Sequence, residues 1–461
     1  MGTVLVAGGT LIDRGTRTQA DILVRDGAVA RVGPGLRASA DRVIDATGLC
    51  VLPGVIDVHT HPVYVDDLES LPVTAAHGGV TTVIHYAYAK PGTRLLDVLC
   101  AFREEAERVS LLDFALHGGL FDPQRQSGEI PAAVKAGVTS FKMFMTYAKL
   151  GWMTDDYQLM RTLDILARAG GMGMVHAENG LATDYLEDAC NEAGLSPVDT
   201  FVRTRPAALE AEAVGRAIAM AEVAGCPLYI PHVSAARALG VIVAARQAGR
   251  RVYAETCPQY LTLTNRDLLE KKALLKIGPP LREDGDQEAL WQGLASGTLD
   301  VVASDHAAKD KRADDDFFAA PYGSPQAETM LPLVHDGVAH GRLSLERMVR
   351  VFSENPARIF GLYPMKGTLA PGSDADLVLF DARAHARIER ASQHSRASYT
   401  AYEGRSVVGA VVLTMQRGRV LVERGEACAR PGGARFLATA AGRADVRELG
   451  SAACAAGGEE R

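Results

Sequence analysis

Two histidines, His59 and His61, stand two residues apart in the run GVIDVHTH. On an extended strand alternate side chains share a face, so both imidazoles point the same way, about 7 Å apart along the backbone, and can converge on one metal ion. An HxH pair by itself is a weak signal, because exposed strands carry one by chance. Three further candidates each close an apolar run: His176 in GMGMVHAEN, His232 in CPLYIPHVS and Asp305 in LDVVASDH. A single histidine in such a place is more often a hydrogen-bonded core or rim residue than a ligand. Four histidines and an aspartate at the ends of four apolar strands are much harder to explain that way. Imidazole together with carboxylate suits zinc or a similar divalent transition metal.

Lys142 closes a fifth run, VTSFKMFMTY. As an ammonium it is repelled by metal ions and makes a poor ligand, although burial in an apolar strand favours the neutral amine. Nucleophilic triads offer no competition: there is no G-x-S-x-G elbow, and Ser304, Asp305 and His306 are contiguous, which does not make a triad. Asp314, Asp315 and Asp316 read as a solvated loop face.

Positioning these residues requires a scaffold that brings the ends of many strands together. Apolar runs at 54–57, 80–85, 114–118, 140–145, 173–176, 227–232, 251–255 and 300–304 alternate with helical patterns at 95–108, 157–169, 210–224 and 235–247. Eight strands alternating with helices over this length predict an α/β fold of the (β/α)₈ TIM-barrel type, whose active sites sit at the C-terminal ends of the strands. An open doubly wound sheet is the rival, and it is disfavoured by the strand count and by the lack of a GxGxxG turn after the first strand. Short β pieces at 3–7, 21–24, 28–32 and 42–45 need partners, and these occur far away at 375–380, 407–416 and 420–423. The expected organisation is a small β-sandwich domain from both chain ends (1–50 with 367–430), a barrel over 51–366, and an Ala/Gly-rich tail over 431–461. That tail is expected to be mobile or to dock on a neighbouring subunit.

The 461 residues are 47% hydrophobic and 23% charged, with a formal net charge of −7. This excludes a disordered or fibrous chain and disfavours a nucleic-acid partner, which needs a basic stripe. No run approaches the roughly 18 apolar residues of a membrane span, and no secretory signal opens the chain. Seven scattered cysteines without a Cys-x-x-Cys pair read as reduced thiols, so a cytoplasmic location is expected.

In order, the segments HTH (59–61), SFKMFM (140–145), HAEN (176–179), PHVS (231–234), ETCPQYL (255–261), GPPLRE (278–283) and SDH (304–306) resemble the cyclic amidohydrolases, most closely the dihydropyrimidinase and D-hydantoinase branch. The similarity continues through 342–362, 366–381 and 402–426, nearly the whole chain before the tail. It implies a hydrolase with a binuclear zinc centre, two Zn²⁺ per subunit, in which Lys142 carries carbon dioxide as N6-carboxylysine, an anionic ligand that bridges both metals. His59, His61, Lys142 and Asp305 would hold the more buried metal, and Lys142, His176 and His232 the second. A hydroxide shared by the metals would attack a ring amide carbonyl of a hydantoin, dihydropyrimidine or related cyclic ureide or imide. Asp305 would act as general base and then acid, and Tyr147, five residues past Lys142, as the donor to the oxyanion. Substrate contacts are expected from Tyr147, Gly278, Tyr322 and Gly323. The small-molecule substrate would be the main partner, within a homo-oligomer, a tetramer or dimer.

Departures from the branch gather around the substrate. The usual serine before Pro-Pro is Gly278, and the usual asparagine is Tyr322; Pro62 opens PVYVDDLE directly after HTH; and His85-Tyr86 replaces the usual end of strand 2. His85 is therefore either a substrate contact or a solvent-reaching rim histidine. An allantoinase or imidase would share the same metal chemistry. A dihydroorotase is disfavoured, because the arginine that meets its substrate's carboxylate is Val63 here. A non-catalytic dihydropyrimidinase-related scaffold is disfavoured by the full set of six ligands, and a single-metal deaminase by Lys142.

Overall fold

The computed structural model describes residues 2–36 and 40–450. Its centre is an eight-stranded parallel sheet made of β6 (Val55–Thr60), β7 (Val80–Ala89), β8 (Asp113–Leu120), β9 (Ser140–Phe144), β10 (Met172–His176), β11 (Leu228–Ile230), β12 (Val252–Thr256) and β13 (Val301–Val302), numbered after the five strands that precede it. Neighbours in sequence are neighbours in the sheet. A parallel bridge between Thr60 and His306 brings the last strand's end back to the first, where His61 N donates to His306 O at 2.9 Å. Asp57 reinforces this seam by accepting from Ser304 N at 3.0 Å and from its hydroxyl at 2.5 Å. Every residue of β6, β8, β9 and β10 is buried, as expected of parallel strands covered on both faces. The barrel is thus the fold that the alternating pattern predicts.

The covering helices are amphipathic and punctuated by their own residues. In the helix Asp156–Ala169, Asp155 caps the start by accepting from Gln158 N at 2.8 Å, and Gly170 ends it in the left-handed conformation. Leu159, Leu163 and Leu166, one turn apart, face the barrel.

Both chain ends build a second, mixed sheet: β1 (Thr3–Asp13), β2 (Thr16–Arg25), β3 (Ala28–Gly33), β4 (Arg42–Asp45), β5 (Cys50–Pro53), β14 (Leu377–Arg387), β15 (Ser406–Gln416), β16 (Arg419–Glu423) and β17 (Glu426–Ala427). β5 joins the halves, pairing parallel with β1 and antiparallel with β14, and it leads directly into β6. The sheet curls around its own core, which includes Ile22, Val51, Leu377, Leu413 and Met415. Buried Lys366 ties it to the barrel through Asp113 at 2.8 Å and Asp376 at 2.7 Å.

The described part of the tail corrects the expectation of mobility or of a neighbour's surface. Residues 433–450 run across the N-terminal end of the same chain's barrel. Leu437 N donates to Phe114 O at 2.7 Å, Ala440 N to Phe360 O at 2.9 Å, and Tyr253 OH to Ala444 O at 2.6 Å. Leu437, Ala441 and Leu449 are buried in one cluster with Met172, Tyr229 and Phe360. The alanines and glycines that suggest mobility serve close packing instead: a Cβ on Gly361 would meet that of Ala440 at 2.7 Å. The final stretch of the tail, 451–461, lies outside the described residues.

Candidate metal centre and active site

The site lies at the C-terminal ends of the barrel strands, where each candidate ligand leaves the sheet. Period-two alternation on β6 sends His59 and His61 inward and Thr60 outward. On β7 it sends Tyr86 and Tyr88 inward: the Tyr86 ring lies 4.7 Å from that of His59, and the Tyr88 hydroxyl is 3.1 Å from His61 Nδ1. His85 must then point outward. It is fully buried between β7 and the covering helix, near Phe102 and Phe114, with its Nδ1 2.7 Å from the Thr60 hydroxyl. His85 is neither a substrate contact nor a rim residue, a correction that the alternation of β7 explains.

His59, His61 and Asp305 form the group best placed for a cation, their ligand atoms all within 4.8 Å of one another. Asp305 Oδ1 is 3.0 Å from His61 Nε2 and 3.2 Å from His59 Nε2. Beside them the His59 and His232 rings are 5.4 Å apart and the His232 and His176 rings 4.5 Å apart. Lys142 Nζ reaches His232 Nε2 at 3.3 Å. The structure therefore brings all six expected ligands to one place.

Electrostatics prepare these groups for coordination. Burial holds His59 and His232 well below the ordinary imidazole value and also lowers His61 and His176, so all four are neutral and keep a lone pair. Burial likewise brings the Lys142 amine down to about 8. Burial pushes the Asp305 carboxyl up, but His59, His61 and Lys142 together outweigh it and leave it below the usual carboxylate value. Neutral imidazoles around an ionised carboxylate are a donor set that fits a divalent transition metal.

Supporting carboxyl groups orient the rings, and burial pushes that of Glu255 up to about 8. Glu255 Oε1 lies 2.7 Å from His59 Nδ1 and also accepts from His232 N at 3.1 Å, while its other oxygen accepts from Tyr229 OH at 2.8 Å. Glu178 Oε2 lies 2.7 Å from His176 Nε2 and is 3.3 Å from Arg205. Burial pushes Glu178 up, but the Arg205 guanidinium and His176 outweigh it and hold its carboxyl down to about 2. A carboxylate on one ring nitrogen fixes the tautomer and leaves the other nitrogen for a ligand bond. Sequence reading missed Glu255, Glu178 and Arg205. Glu255 had the same signal as the ligands, an apolar run that it nearly closes; Arg205 had none.

Tyr147, Gly278, Tyr322 and Gly323 line the same cavity of about 270 Å³ as the ligands. Tyr147 is half-buried beside His176 and packs edge-on against Tyr322, with ring centres 5.8 Å apart. A Cβ on Gly278 would lie 3.1 Å from the Tyr147 phenol oxygen and 3.2 Å from the Tyr322 ring, so the glycine gives the two tyrosines their close approach. Arg205 Nη2 donates to the Tyr322 hydroxyl at 3.2 Å and so links a cavity wall to the carboxylate behind His176. The Gly323 backbone is already engaged: N–H to Lys276 O, and its carbonyl with Lys311 and Tyr399. Tyr147, His232 and Asp305 all have φ between 43° and 65°, a left-handed conformation that costs a side-chain-bearing residue about 1–3 kcal/mol. Three such residues around one cavity mark where the fold holds side chains against local preference.

A model of the amidohydrolase family matches residues 50–421. The D-hydantoinase of Ralstonia pickettii is 37% identical over 451 residues, covering 94% of this chain and 98% of that one. The D-hydantoinase of Rhizobium radiobacter is 38% identical, again covering 94% and 98%. A solved D-hydantoinase structure superimposes with a TM-score of 0.91 at 36% identity, covering 95% of this chain and 98% of its own.

Proposed function

Because the chain belongs to the amidohydrolase family and is similar to hydantoinases along nearly its whole length, we propose that it opens a cyclic ureide or imide ring by hydrolysing an amide C–N bond. The observation that carries this reading is the convergence of six ligand-type side chains and the Tyr147 phenol on one cavity. His59, His61, Lys142 and Asp305 would hold one divalent cation, and Lys142, His176 and His232 a second. Zinc suits this donor set. Lys142 enters as N6-carboxylysine; its buried amine, held at about 8, has the neutral fraction that reaction with carbon dioxide requires. When bound, the cations supply Lewis acidity and water activation near neutral pH.

The chain's own groups do the rest. Asp305, ionised among imidazoles, accepts a proton from the attacking water and returns it to the leaving ring nitrogen. The Tyr147 hydroxyl donates to the oxygen that gains negative charge at the attacked carbonyl; burial holds the phenol well above its ordinary value, so it keeps its proton. Tyr88, Phe121, Phe144 and Trp152 wall the cavity with aromatic surface that excludes water from the ring. The reading includes a homo-oligomer, dimer or tetramer, by likeness to the family. It also includes the cytoplasm, with which the unpaired cysteines among the described residues agree.

The test is a hydrolysis panel of dihydrouracil, substituted hydantoins, allantoin and cyclic imides, run beside metal analysis of the purified protein. About two divalent metals per chain and ring opening of hydantoins or dihydropyrimidines are expected. Protein that stays metal-free after metal-supplemented expression and opens none of these rings would overturn the reading.

A further inference from the structure

One wall of the cavity carries a cation that the metal centre does not use. Lys309 lines the cavity four residues past Asp305, with its Nζ 2.7 Å above the centre of the Tyr64 ring. Tyr64 in turn packs toward His61, with ring centres 6.5 Å apart, so the ammonium stands two ring contacts from a metal-ligand histidine. Among the described residues Asp305 is the only carboxylate lining the cavity, and its Oδ1 faces both His59 and His61. Among the described residues no carboxylate forms an ion pair with Lys309.

Its lysine neighbours, equally without an ion pair among the described residues, are held by hydrogen bonds to backbone carbonyls. Lys311 Nζ is spent on the carbonyls of Lys276 and Gly323, and Lys276 Nζ on that of Phe318. Burial lowers Lys309 to about 8. A half-buried, unpaired ammonium is costly, and an arriving anion repays that cost through a charge-assisted hydrogen bond. The aromatic faces of Tyr64 and Tyr88 beside it would cover the apolar part of such a ligand. The arginine expected two residues after HxH for a ring carboxylate is Val63, so apart from Lys142 of the ligand cluster, Lys309 is the one lysine or arginine lining the cavity among the described residues.

Resting on the hydrolase reading above, we propose that Lys309 forms a carboxylate subsite and that the substrate class is a cyclic ureide or imide with a short carboxyalkyl arm. The ring lies over the ligand cluster, the arm runs along Tyr64, and its carboxylate ends on the Lys309 ammonium.

The test uses the metal-loaded wild-type enzyme and a matched pair, hydantoin bearing a carboxyethyl arm and its carboxamide isostere. The carboxylate is expected to have the higher kcat/KM by about tenfold or more, equivalent to about 1.4 kcal/mol, carried by KM rather than kcat. The preference should shrink as salt rises. Lys309→Met should bring the ratio close to unity, and Lys309→Arg should keep most of it. A wild-type ratio near one, or a ratio unchanged in Lys309→Met, would overturn the subsite while leaving the hydrolase reading intact. If the wild-type enzyme opens no cyclic ureide at all, the hydrolase reading itself fails and the subsite with it.

Discussion

The two ends of the barrel are built on opposite terms. At the N-terminal end the chain's own tail lies across the strands, its backbone groups paired with those of Phe114, Gly137 and Phe360. Leu437, Ala441 and Leu449 complete an apolar layer there. At the C-terminal end the strands finish in imidazoles, an amine and a carboxylate, two of them, His232 and Asp305, on left-handed backbone, with burial disfavouring the charged form of the imidazoles and the amine. One end closes on apolar packing and backbone hydrogen bonds, whereas the other gathers buried polar groups, some on strained backbone. The same strands supply both, so stability gained at one end supports strain at the other.

Three substitutions would break or sharpen this contrast. The largest effect is expected for Lys142→Ala, which removes the residue shared by both cation sites. Metal content should fall and activity drop on the order of 10⁴-fold or more, with partial rescue by small carboxylic acids; an unaltered metal content would remove its bridging role. Tyr147→Phe comes next: turnover should fall by about a hundredfold to a thousandfold at unchanged metal content, as for loss of an oxyanion donor. Wild-type turnover in that variant would reject the role. The smallest catalytic effect belongs to the sealed end. Leu437→Ala should cost about 2–5 kcal/mol of stability, seen as a lower melting temperature, with kcat little changed. A large fall in kcat without a fall in melting temperature would show that the two ends are not divided in this way.

How much of this was legible beforehand depends on the range of the interaction. His59 and His61 were readable because alternation on one strand fixes their shared face, and the other ligands because each follows an apolar run. His85 was not readable: the sequence left it between a substrate contact and a rim residue, and only the register of β7, with Tyr86 facing inward, turned it outward into the buried layer. Glu178 and Arg205 escaped because their roles exist only when the loop after β10 folds back to place a guanidinium between His176's carboxylate and Tyr322. The tail escaped for a different reason. Alanine and glycine carry little periodic signal, and only a facing surface such as Gly361 distinguishes close packing from disorder.

By itself the sequence determined the strand-and-helix alternation, the six ligand-type residues at the strand ends, and the family they resemble, since these follow from residue type and spacing along the chain. Only the tertiary structure decided which side chains meet. It paired His59 with Glu255 and His176 with Glu178, set Tyr147 against Tyr322 over Gly278, and placed Lys309 on the cavity wall against the Tyr64 ring. The physical reason is that charge, burial and hydrogen bonding act through space. Residues 59 and 255 are neighbours only once the barrel has closed.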